Sequence, residues 1–398
     1  MATGPEAARA ATGPEVDLGP LGIDGGGHLL IAHALARLPV GSPLTVLGGG
    51  PHLPVHLRAW ARERGHRVEG NVVIGGDADH RRLAGARRAG ATGDVAERAP
   101  AAWGLAARGA IVEPGAPPLV GADLDRREEV WTELAPKLYA QAAAGQWDPA
   151  TAVDWTPPEL ADEVEVAVVQ VMTYLIENEQ AALAVPARFI GRIHPHYREV
   201  VQFLTTQLAD EARHVEVFTR RGRLGGRPFG VSGAGGRASL LTLLDEPEWP
   251  TASFLLSVLG EGTFLSLLSF LERHAPDPVT ARIAHLALQD EARHVAFAMA
   301  HLSEHLRSDP ALRYRLAAAV RRRHDALLDT AGLSDHVHDA LAILAAGEWS
   351  HEAIGRGWTL VGSLQEEMNE ARGRRLVRLG FSEHEANELS ALHTRNFM

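Results

Sequence analysis

The pattern of hydrophobic and polar positions divides the chain into an N-terminal region of short elements and a longer region of helices. In residues 16–75, short apolar runs such as PLTVL alternate with helical runs such as LLIAHALARL and VHLRAWARERG. This alternation predicts a small β-α-β-α-β domain. From Leu124 onward, apolar residues recur at helical spacing and the pattern breaks only at Pro- and Gly-rich points. A bundle of long helices is therefore predicted for residues 124–398.

The segments outside these two regions have a different composition. Residues 1–15 are rich in Ala, Gly and Pro, and they predict a disordered tail because they offer little apolar surface to bury. Residues 76–123 are rich in Ala, Gly, Arg and Pro, include EPGAPP, and predict a linker. The predicted fold class is mainly α, a helical bundle preceded by a small α/β domain.

Composition restricts the chemistry and the partners. The chain has no cysteine, so any metal must be bound by carboxylate and imidazole groups. The formal net charge of −11, without a basic block, argues against nucleic acid or an anionic membrane as a partner. We recognise neither a signal-peptide pattern nor an uncharged stretch of membrane-spanning length. We therefore expect a cytoplasmic protein with a small-molecule or protein partner.

The strongest chemical signal is a repeated pentapeptide. Asp-Glu-Ala-Arg-His occurs at Asp210–His214 and again at Asp290–His294, 80 residues further along. Within each copy the Glu and the His are three residues apart, so both project from one face of a helix and can reach one metal ion. The predicted chelating pairs are Glu211 with His214 and Glu291 with His294.

A single Glu-x-x-His pair is common on charged helix faces. Glu348 and His351 form such a pair without a preceding Asp or a second copy, and we expect no metal there. The duplicated motif, in contrast, is typical of a dinuclear site.

A bundle site of this kind needs one further carboxylate from each of the other two helices. Glu261 lies within the apolar run SFLLSVLGEGTFLSLLSFL, where a carboxylate is costly unless it is paired or binds metal. In MTYLIENEQAAL, Glu177 and Glu179 lie on nearly opposite sides of a helix. We favour Glu179 as the ligand because it shares a face with Met172 and Leu175.

The six predicted ligands have a balanced charge. Their four carboxylates match two divalent ions when both histidines are neutral, and oxygen and imidazole ligands favour iron or manganese. Asp210 and Asp290 are predicted to accept hydrogen bonds from the histidines, and Arg213 and Arg293 to hold these aspartates.

Residues near the ligands suggest where a substrate is bound. Gly260 and Gly262 flank Glu261 and are expected to leave room beside the metals. Four residues one turn from the ligands are expected to line a pocket: Gln207, Phe218, Ala287 and Ala298.

Together these residues resemble the ferritin-like diiron-carboxylate superfamily, in the branch of bacterial multicomponent monooxygenase hydroxylases, ribonucleotide reductase small subunits and arylamine N-oxygenases. Asn178-Glu179-Gln180 is similar to the first-helix ligand region, Gly260-Glu261-Gly262 to the third-helix position, and QDEARH, ending at His294, to the fourth-helix signature. The resemblance covers residues 125–398. It implies two iron ions, or a mixed manganese–iron pair, with dioxygen as co-substrate and an external electron donor such as a ferredoxin with its reductase. It also implies a homodimer.

Two positions depart from particular members of that branch. The radical tyrosine of ribonucleotide reductase small subunits is replaced by Phe218, and the extra histidine ligand of arylamine N-oxygenases is replaced by Ala287. Neither radical generation nor membership of the N-oxygenase group is therefore expected.

The N-terminal region is similar to another family. PLTVLGGGPHLPVHLRAWARERGHRVE resembles the second half of a TusA-like sulfur carrier, but Gly25–His28 stands where the carrier has its Cys-Pro motif. Sulfur transfer by that route is excluded. A role in packing, partner docking or substrate delivery remains.

The sequence therefore predicts a dinuclear non-heme iron oxygenase or oxidase that uses dioxygen to hydroxylate, N-oxygenate or desaturate a small organic substrate. Two alternatives stay open: a ferroxidase or metal-binding protein without an organic substrate, and a scaffold or trafficking protein that acts through the TusA-like domain. The identity of the substrate and the choice between Fe/Fe and Mn/Fe stay open as well.

Overall fold

The computed structural model describes residues 13–327 and 335–392, apart from the side chains of residues 79 and 80. The described chain forms two compact units, one made of residues 13–89 and 109–117 and the other of residues 90–108 and 118 onward. Most of the predicted tail, residues 1–12, lies outside the described residues. Glu15 already begins the first strand, one residue before the predicted boundary.

The first unit contains a four-stranded sheet. Its strands are β1 (Glu15–Asp17), β2 (Pro43–Leu47), β3 (Arg67–Glu69) and β4 (Val72–Ile74), and its helices are α1 (His28–Leu35) and α2 (Leu53–Glu63). The strand order is β1-β2-β4-β3, with β1 parallel to β2 and the other pairs antiparallel. A core of apolar side chains, including Ile31, Leu57 and Val73, fills the space between sheet and helices.

The sheet has one strand more than the predicted β-α-β-α-β pattern. The segment HRVEGNVVI forms the hairpin β3–β4 rather than a single strand, because Glu69 pairs with Val72 across a two-residue turn. Gly70 adopts a φ of 65°, a conformation that favours glycine, so this residue allows the tight turn.

The predicted linker contains regular structure and belongs to both units. Residues 76–89 and 109–117 lie in the first unit, with helix α3 (Ala78–Arg82) and the paired strands β5 (Arg87–Arg88) and β6 (Ile111–Val112). Residues 90–108 lie in the second unit, where Arg108 forms a 2.7 Å ion pair with Glu199. Backbone pairing of two-residue strands leaves almost no pattern in the sequence, which explains why composition alone indicated a linker.

The second unit is helical, which confirms the predicted fold class. Its helices are α4 (Arg127–Val130), α5 (Ala135–Ala144), α6 (Asp162–Ile190), α7 (Arg198–Leu224), α8 (Ala234–Leu244), α9 (Trp249–Ser253), a π-helix (Phe254–Glu261), α10 (Gly262–His274), α11 (Pro278–Ser308), α12 (Leu312–Leu327), α13 (Asp335–Ala346), α14 (His351–Arg378) and α15 (Glu383–Ala391). Four long segments form the bundle: α6, α7, α11, and the continuous run of α9, the π-helix and α10. α6 packs on α7 and α10 packs on α11.

Local sequence explains where the long helices begin and which faces they bury. α11 starts after Asp277, whose side chain accepts a hydrogen bond from the backbone N–H of Thr280, and Pro278 occupies the first turn. In α6, Val164, Val168 and Val171 recur at helical spacing and are buried.

One helical segment of the described chain, Trp249–His274, is long and apolar enough to cross a membrane. The sequence expectation concerned stretches without charges, and this segment contains Glu261, Glu272 and Arg273. In the structure, 89% of the apolar 18-residue stretch within this segment is buried inside the protein, so the segment is a core helix and gives no indication of a membrane span.

Candidate metal centre

Four helical segments bring the six predicted ligands into one buried cluster. α6 contributes Glu179, α7 contributes Glu211 and His214, the π-helix contributes Glu261, and α11 contributes Glu291 and His294. Each of these residues is at most 5% exposed. Carboxylates at such burial are strongly disfavoured unless positive charge accompanies them. The cluster therefore indicates a site for cations.

The ligand atoms form two groups that share two carboxylates. The first group consists of Glu179, Glu211, His214 and Glu291, and the second of Glu211, Glu261, Glu291 and His294. Within each group, one ligand atom per residue lies within 4.8 Å of all the others. Because Glu211 and Glu291 belong to both groups, their carboxylates can bridge two ions held side by side. The arrangement is therefore able to bind a pair of metal ions, as predicted.

Several atoms of the cluster are buried without a hydrogen-bond partner. They are Oε1 of Glu179, Oε1 of Glu211, Oε2 of Glu261, both carboxylate oxygens of Glu291 and Nδ1 of His294. A buried acceptor without a donor costs on the order of 1–3 kcal/mol, and a charged one costs more. Nδ1 of His294 lies 3.1 Å from Oε1 of Glu211, and Nδ1 of His214 lies 3.4 Å from Oε1 of Glu291, but two imidazole rings cannot balance four carboxylates. Metal ions would supply the positive charge that is missing, so the residues present fit a metal pair.

Burial and neighbouring charges shift the pKa values in the cluster. Burial raises the pKa of Glu179 well above its ordinary value, and the charge of Glu211 raises it further. Burial alone would lower the pKa of His214, but Glu179 and the hydrogen bond to Asp290 outweigh burial and raise this pKa. Glu179 and His214 therefore hold protons tightly, and a metal ion that binds to these two residues must displace those protons.

The aspartate of each motif contacts the histidine of the other motif. Nε2 of His214 lies 3.2 Å from Oδ2 of Asp290, and Nε2 of His294 lies 3.2 Å from Oδ2 of Asp210. The opposite ring nitrogen faces the glutamates, since Nδ1 of His214 lies 3.2 Å from Oε2 of Glu211. An aspartate at Nε2 favours the tautomer that carries its proton there and leaves Nδ1 free to bind metal.

Two arginines link the aspartates to each other. Arg213 forms a short hydrogen bond with Asp210 and lies 3.3 Å from Asp290. Arg293 forms a short hydrogen bond with Asp290 and lies 3.5 Å from Asp210. Each arginine therefore contacts both aspartates, in keeping with the predicted role of Arg213 and Arg293 in holding them.

Two further residues of this network were not predicted from the sequence. In the segment after α5, Nε1 of Trp147 donates to Asp290 at 2.8 Å, and Nε2 of Gln146 donates to Asp210 at 3.1 Å. The guanidinium of Arg213 also lies over the Trp147 ring, 5.1 Å from its centre. The sequence carries no signal for this role, because no spacing rule connects GQWDP with the repeated motif.

Glu261 has support of its own. Nε2 of Gln207 donates to Oε1 of Glu261 at 3.1 Å, so Gln207 orients a predicted ligand instead of lining a pocket. Burial raises the pKa of Glu261, the charge of Glu291 raises it further, and a hydrogen bond with Ser257 acts in the opposite direction.

Glu177, Glu348 and His351, which we did not expect to bind metal, lie outside both groups of ligand atoms. Glu177 is only partly buried, on the side of α6 away from the cluster, whereas Glu179 is buried within it. Glu348 and His351 are both exposed. That the six clustered residues bind metal stays a prediction.

The helix that carries Glu261 is not a regular α-helix. Residues 254–261 form a π-helix, a rare conformation that often occurs at functional sites. Gly260 borders a cavity beside the ligands, as expected. Gly262 does not, because the side chain of Arg375 occupies the space next to its Cα atom.

The cavity beside the cluster is small and mostly apolar. Its walls come from α6, α8, the π-helix, α10 and α11, with these lining residues: Asn178, Glu179, Ala182, Leu240, Leu243, Leu256, Gly260, Glu261, Phe264 and Glu291. None of the four residues predicted to line a pocket is among them. Its volume of about 20 Å³ suits one or two water molecules. An organic molecule would therefore fit beside the cluster only if a wall of this cavity moved.

Comparison with known proteins gives only distant likenesses. No family model matches the sequence, and no curated protein matches it. Among solved structures, the chain is similar to an R2-like ligand-binding oxidase with an aerobically reconstituted Mn/Fe cofactor, at 20% identity and a TM-score of 0.46, over 64% of this chain and 94% of that chain. A mutant of such an oxidase with an Fe/Fe cofactor gives 20% identity and a TM-score of 0.46, over 64% of this chain and 95% of that chain. At this level of similarity, the chemistry of the site must be argued from the residues of this chain.

Proposed function

We propose that the protein is a dinuclear non-heme metal oxidoreductase that uses dioxygen to oxidise a small organic substrate. The observation that carries the proposal is the pair of ligand groups that share Glu211 and Glu291 in a buried site. Storage of a single ion would not require two carboxylates common to both groups.

The proposed metals are two iron ions, or one manganese and one iron. Carboxylate and imidazole ligands suit these metals, and the chain offers no thiolate. The four glutamates balance two divalent ions when His214 and His294 are neutral. When bound, two redox-active ions supply electrons for the reduction of dioxygen.

The chain's own residues provide the surroundings for that chemistry. Leu240, Leu243 and Leu256 cover the cluster on one side and exclude bulk water from it. Asn178 also borders this cavity, and its Oδ1 atom is buried without a hydrogen-bond partner. The lining contains no lysine, arginine or histidine side chain, and an uncharged, mostly apolar substrate with a hydrogen-bond donor for Asn178 suits it.

Repeated turnover requires electrons from outside the chain. We recognise no flavin, nicotinamide or iron–sulfur motif in the sequence. We therefore propose an external electron donor, such as a ferredoxin with its reductase. We also propose that the protein is a cytoplasmic homodimer. The TusA-like resemblance of residues 16–75 suggests that the first unit docks a partner or delivers substrate.

One observation favours a second candidate, a ferroxidase without an organic substrate. The cavity of about 20 Å³ has room for dioxygen or water but not for an organic molecule unless a wall of the cavity moves. Leu243→Ala, which enlarges the cavity, should widen the size range of the substrates oxidised. Leu241→Ala, on the exposed side of the same helix, should not. Equal ferroxidase activity in both variants, without oxidation of any organic compound, would favour the second candidate.

The first experiment is to load the protein anaerobically with ferrous iron and mix it rapidly with oxygenated buffer. We expect two irons per chain, rapid uptake of dioxygen and a transient change in visible absorbance. Folded Glu211→Ala and Glu291→Ala variants should lose all three. Iron binding without any reaction with dioxygen would contradict the proposal.

A further inference from the structure

The junction between the π-helix and α10 lies at Glu261 and Gly262, and a buried arginine of α14 contacts it. Nε of Arg375 donates to the backbone carbonyl of Val258 at 2.9 Å. The Arg375 side chain is buried, and within the described residues it forms no ion pair with a carboxylate. Its neighbour Arg374 is 64% exposed and pairs with Glu370 at 3.2 Å.

A buried guanidinium without an anion is costly, so this contact requires an explanation. Burial lowers the pKa of Arg375 to about 10, and Arg375 is therefore still charged at neutral pH. Replacing such a group by an apolar one of similar volume is often neutral or stabilising. Stability alone therefore does not account for an arginine at this position.

Gly262 permits the close approach of the arginine. A Cβ atom at Gly262 would lie 2.5 Å from Nε, 2.6 Å from Cζ and 2.8 Å from Nη2 of Arg375. Real Cβ atoms essentially never come within 3.0 Å of other heavy atoms. Any other residue at 262 would therefore push the guanidinium away from the helix backbone.

The backbone at this junction has lost its regular hydrogen-bond spacing. The N–H of Gly262 faces the carbonyls of Ser257, Leu259 and Gly260, and the contact with Ser257, five residues earlier, has the π-helical spacing. In an α-helix this N–H would bond the carbonyl of Val258 instead. In the structure, Arg375 supplies the donor for that carbonyl.

A second arginine of α14 supports the other side of the junction. Nη2 of Arg372 donates to Oγ1 of Thr263 at 3.3 Å, and Thr263 donates to the carbonyl of Leu259 at 2.6 Å. Arg372 is also buried, and its Nη1 donates to the carbonyl of Ser390 at 2.9 Å. Two arginines of α14 therefore form hydrogen bonds to the turn that carries Glu261, Arg375 before it at Val258 and Arg372 after it at Thr263.

We infer that Arg375, seated against Gly262, is a positioning residue that maintains the π-helical turn and thereby aims Glu261 at its metal ion. The inference rests on the proposed metal pair. Arg375 acts through the backbone at Val258, one helical turn before Glu261, and touches neither the metals nor the substrate. Its loss should therefore weaken the ion held by Glu261 and His294 more than the ion held by Glu179 and His214.

The test compares Arg375→Met with Arg374→Met, and Gly262→Ala with Gly362→Ala. Methionine keeps most of the arginine volume but removes the donor. Gly362 lies in α14, and no heavy atom lies within 4 Å of the place that an added methyl group would take, so its alanine variant controls for the glycine change itself. Each protein is titrated anaerobically with Mn(II), metal is counted per chain, and electron paramagnetic resonance distinguishes isolated from coupled Mn(II).

We expect wild type and both controls to bind two ions that give the coupled signal. In Arg375→Met and Gly262→Ala, the affinity for one ion should fall by about 10–100-fold, the range typical for residues that orient ligands. The signal of isolated Mn(II) should then appear at metal concentrations that saturate wild type. Glu261→Ala, which removes the ligand itself, sets the limit of this effect.

Unchanged affinity for both ions in folded Arg375→Met would overturn the inference and leave the proposed metal pair intact. Equal weakening of both ions would also overturn it, because the arginine would then serve general stability. If Gly262→Ala does not fold, Arg375→Met decides alone, since it adds no bulk. A wild-type chain that binds no metal would refute the proposed function itself.

Discussion

The crossed contacts between aspartates and histidines lead to a site-specific prediction. Asp290 belongs to the second copy of the repeat but contacts His214 of the first, at 3.2 Å. Asp290→Asn should therefore weaken the ion bound by His214 and Glu179. Asp210→Asn should weaken the other ion, because Asp210 contacts His294 at 3.2 Å. Sequence proximity alone would suggest the reverse assignment.

The contacts of Asp290 indicate the size of the effect. Its carboxylate accepts hydrogen bonds from Trp147 at 2.8 Å and from Arg213 at 3.3 Å and a short one from Arg293, besides the contact with His214. Asparagine keeps the volume but removes the charge and replaces one acceptor by a donor. Loss of such a partner typically lowers metal affinity by about 10–100-fold, or about 1.4–2.7 kcal/mol.

The assay uses backgrounds that leave one group of ligands complete. Glu261→Ala keeps the group that contains His214, and Glu179→Ala keeps the group that contains His294. Each aspartate variant is added to each background, and the dissociation constant for Fe(II) or Mn(II) is measured anaerobically by competition with a chelator. Asp148→Asn, an exposed change next to Trp147, serves as the control.

The crossed pattern is what the assay must reproduce. Asp290→Asn should weaken binding in the Glu261→Ala background and have little effect in the Glu179→Ala background, with the opposite result for Asp210→Asn. If both aspartate variants weaken both backgrounds equally, or if each affects the histidine of its own motif, the reasoning is refuted.

Two further predictions concern stability. Arg221 is fully buried and donates to Glu165 at 2.8 Å and to Asp277 at 2.9 Å. Arg221→Met should leave these carboxylates without their positive partner and lower the free energy of unfolding by about 3–5 kcal/mol, measured by urea denaturation. Arg223→Met, at an exposed position, is the control. A loss below about 1 kcal/mol in Arg221→Met, no larger than in the control, would contradict this reasoning. Burial lowers the pKa of His301 to about 3, so the folded state resists a proton that the unfolded state accepts below about pH 6.5. This contribution to stability is complete above pH 6.5 and falls by about 2 kcal/mol between pH 7.5 and pH 5. His301→Phe should make the pH dependence shallower by that amount, and an unchanged slope would count against it.

The parts of the site that could be predicted from the sequence are those set by residues close together in the sequence, within one helix. The spacing of Glu211 and His214 fixes their common helix face, and the second copy of the motif indicates a second half-site. Glu261 was recognisable because a carboxylate stands in an apolar run, and Glu179 because it shares the buried face of α6. These inferences need only helical geometry and the cost of burying charge.

The parts that escaped prediction depend on tertiary contacts. Trp147 reaches Asp290 from a segment more than 140 residues away, and no periodicity connects them. The π-helical turn before Glu261 depends on Arg375, which lies 117 residues from Val258 in the sequence. In the N-terminal region the turn at Gly70 divides one apolar run into two strands, a feature that alternation alone does not reveal.

The central claim is that one chain binds two metal ions between Glu211 and Glu291, and anomalous diffraction tests it most directly. Crystals of protein loaded with Fe(II), or with Mn(II) and Fe(II), are measured at energies around the metal absorption edges. We expect two peaks about 3.5–4 Å apart, the spacing typical of dinuclear sites, one beside Glu179 and His214 and the other beside Glu261 and His294. A single peak, or peaks away from these residues, would contradict the claim.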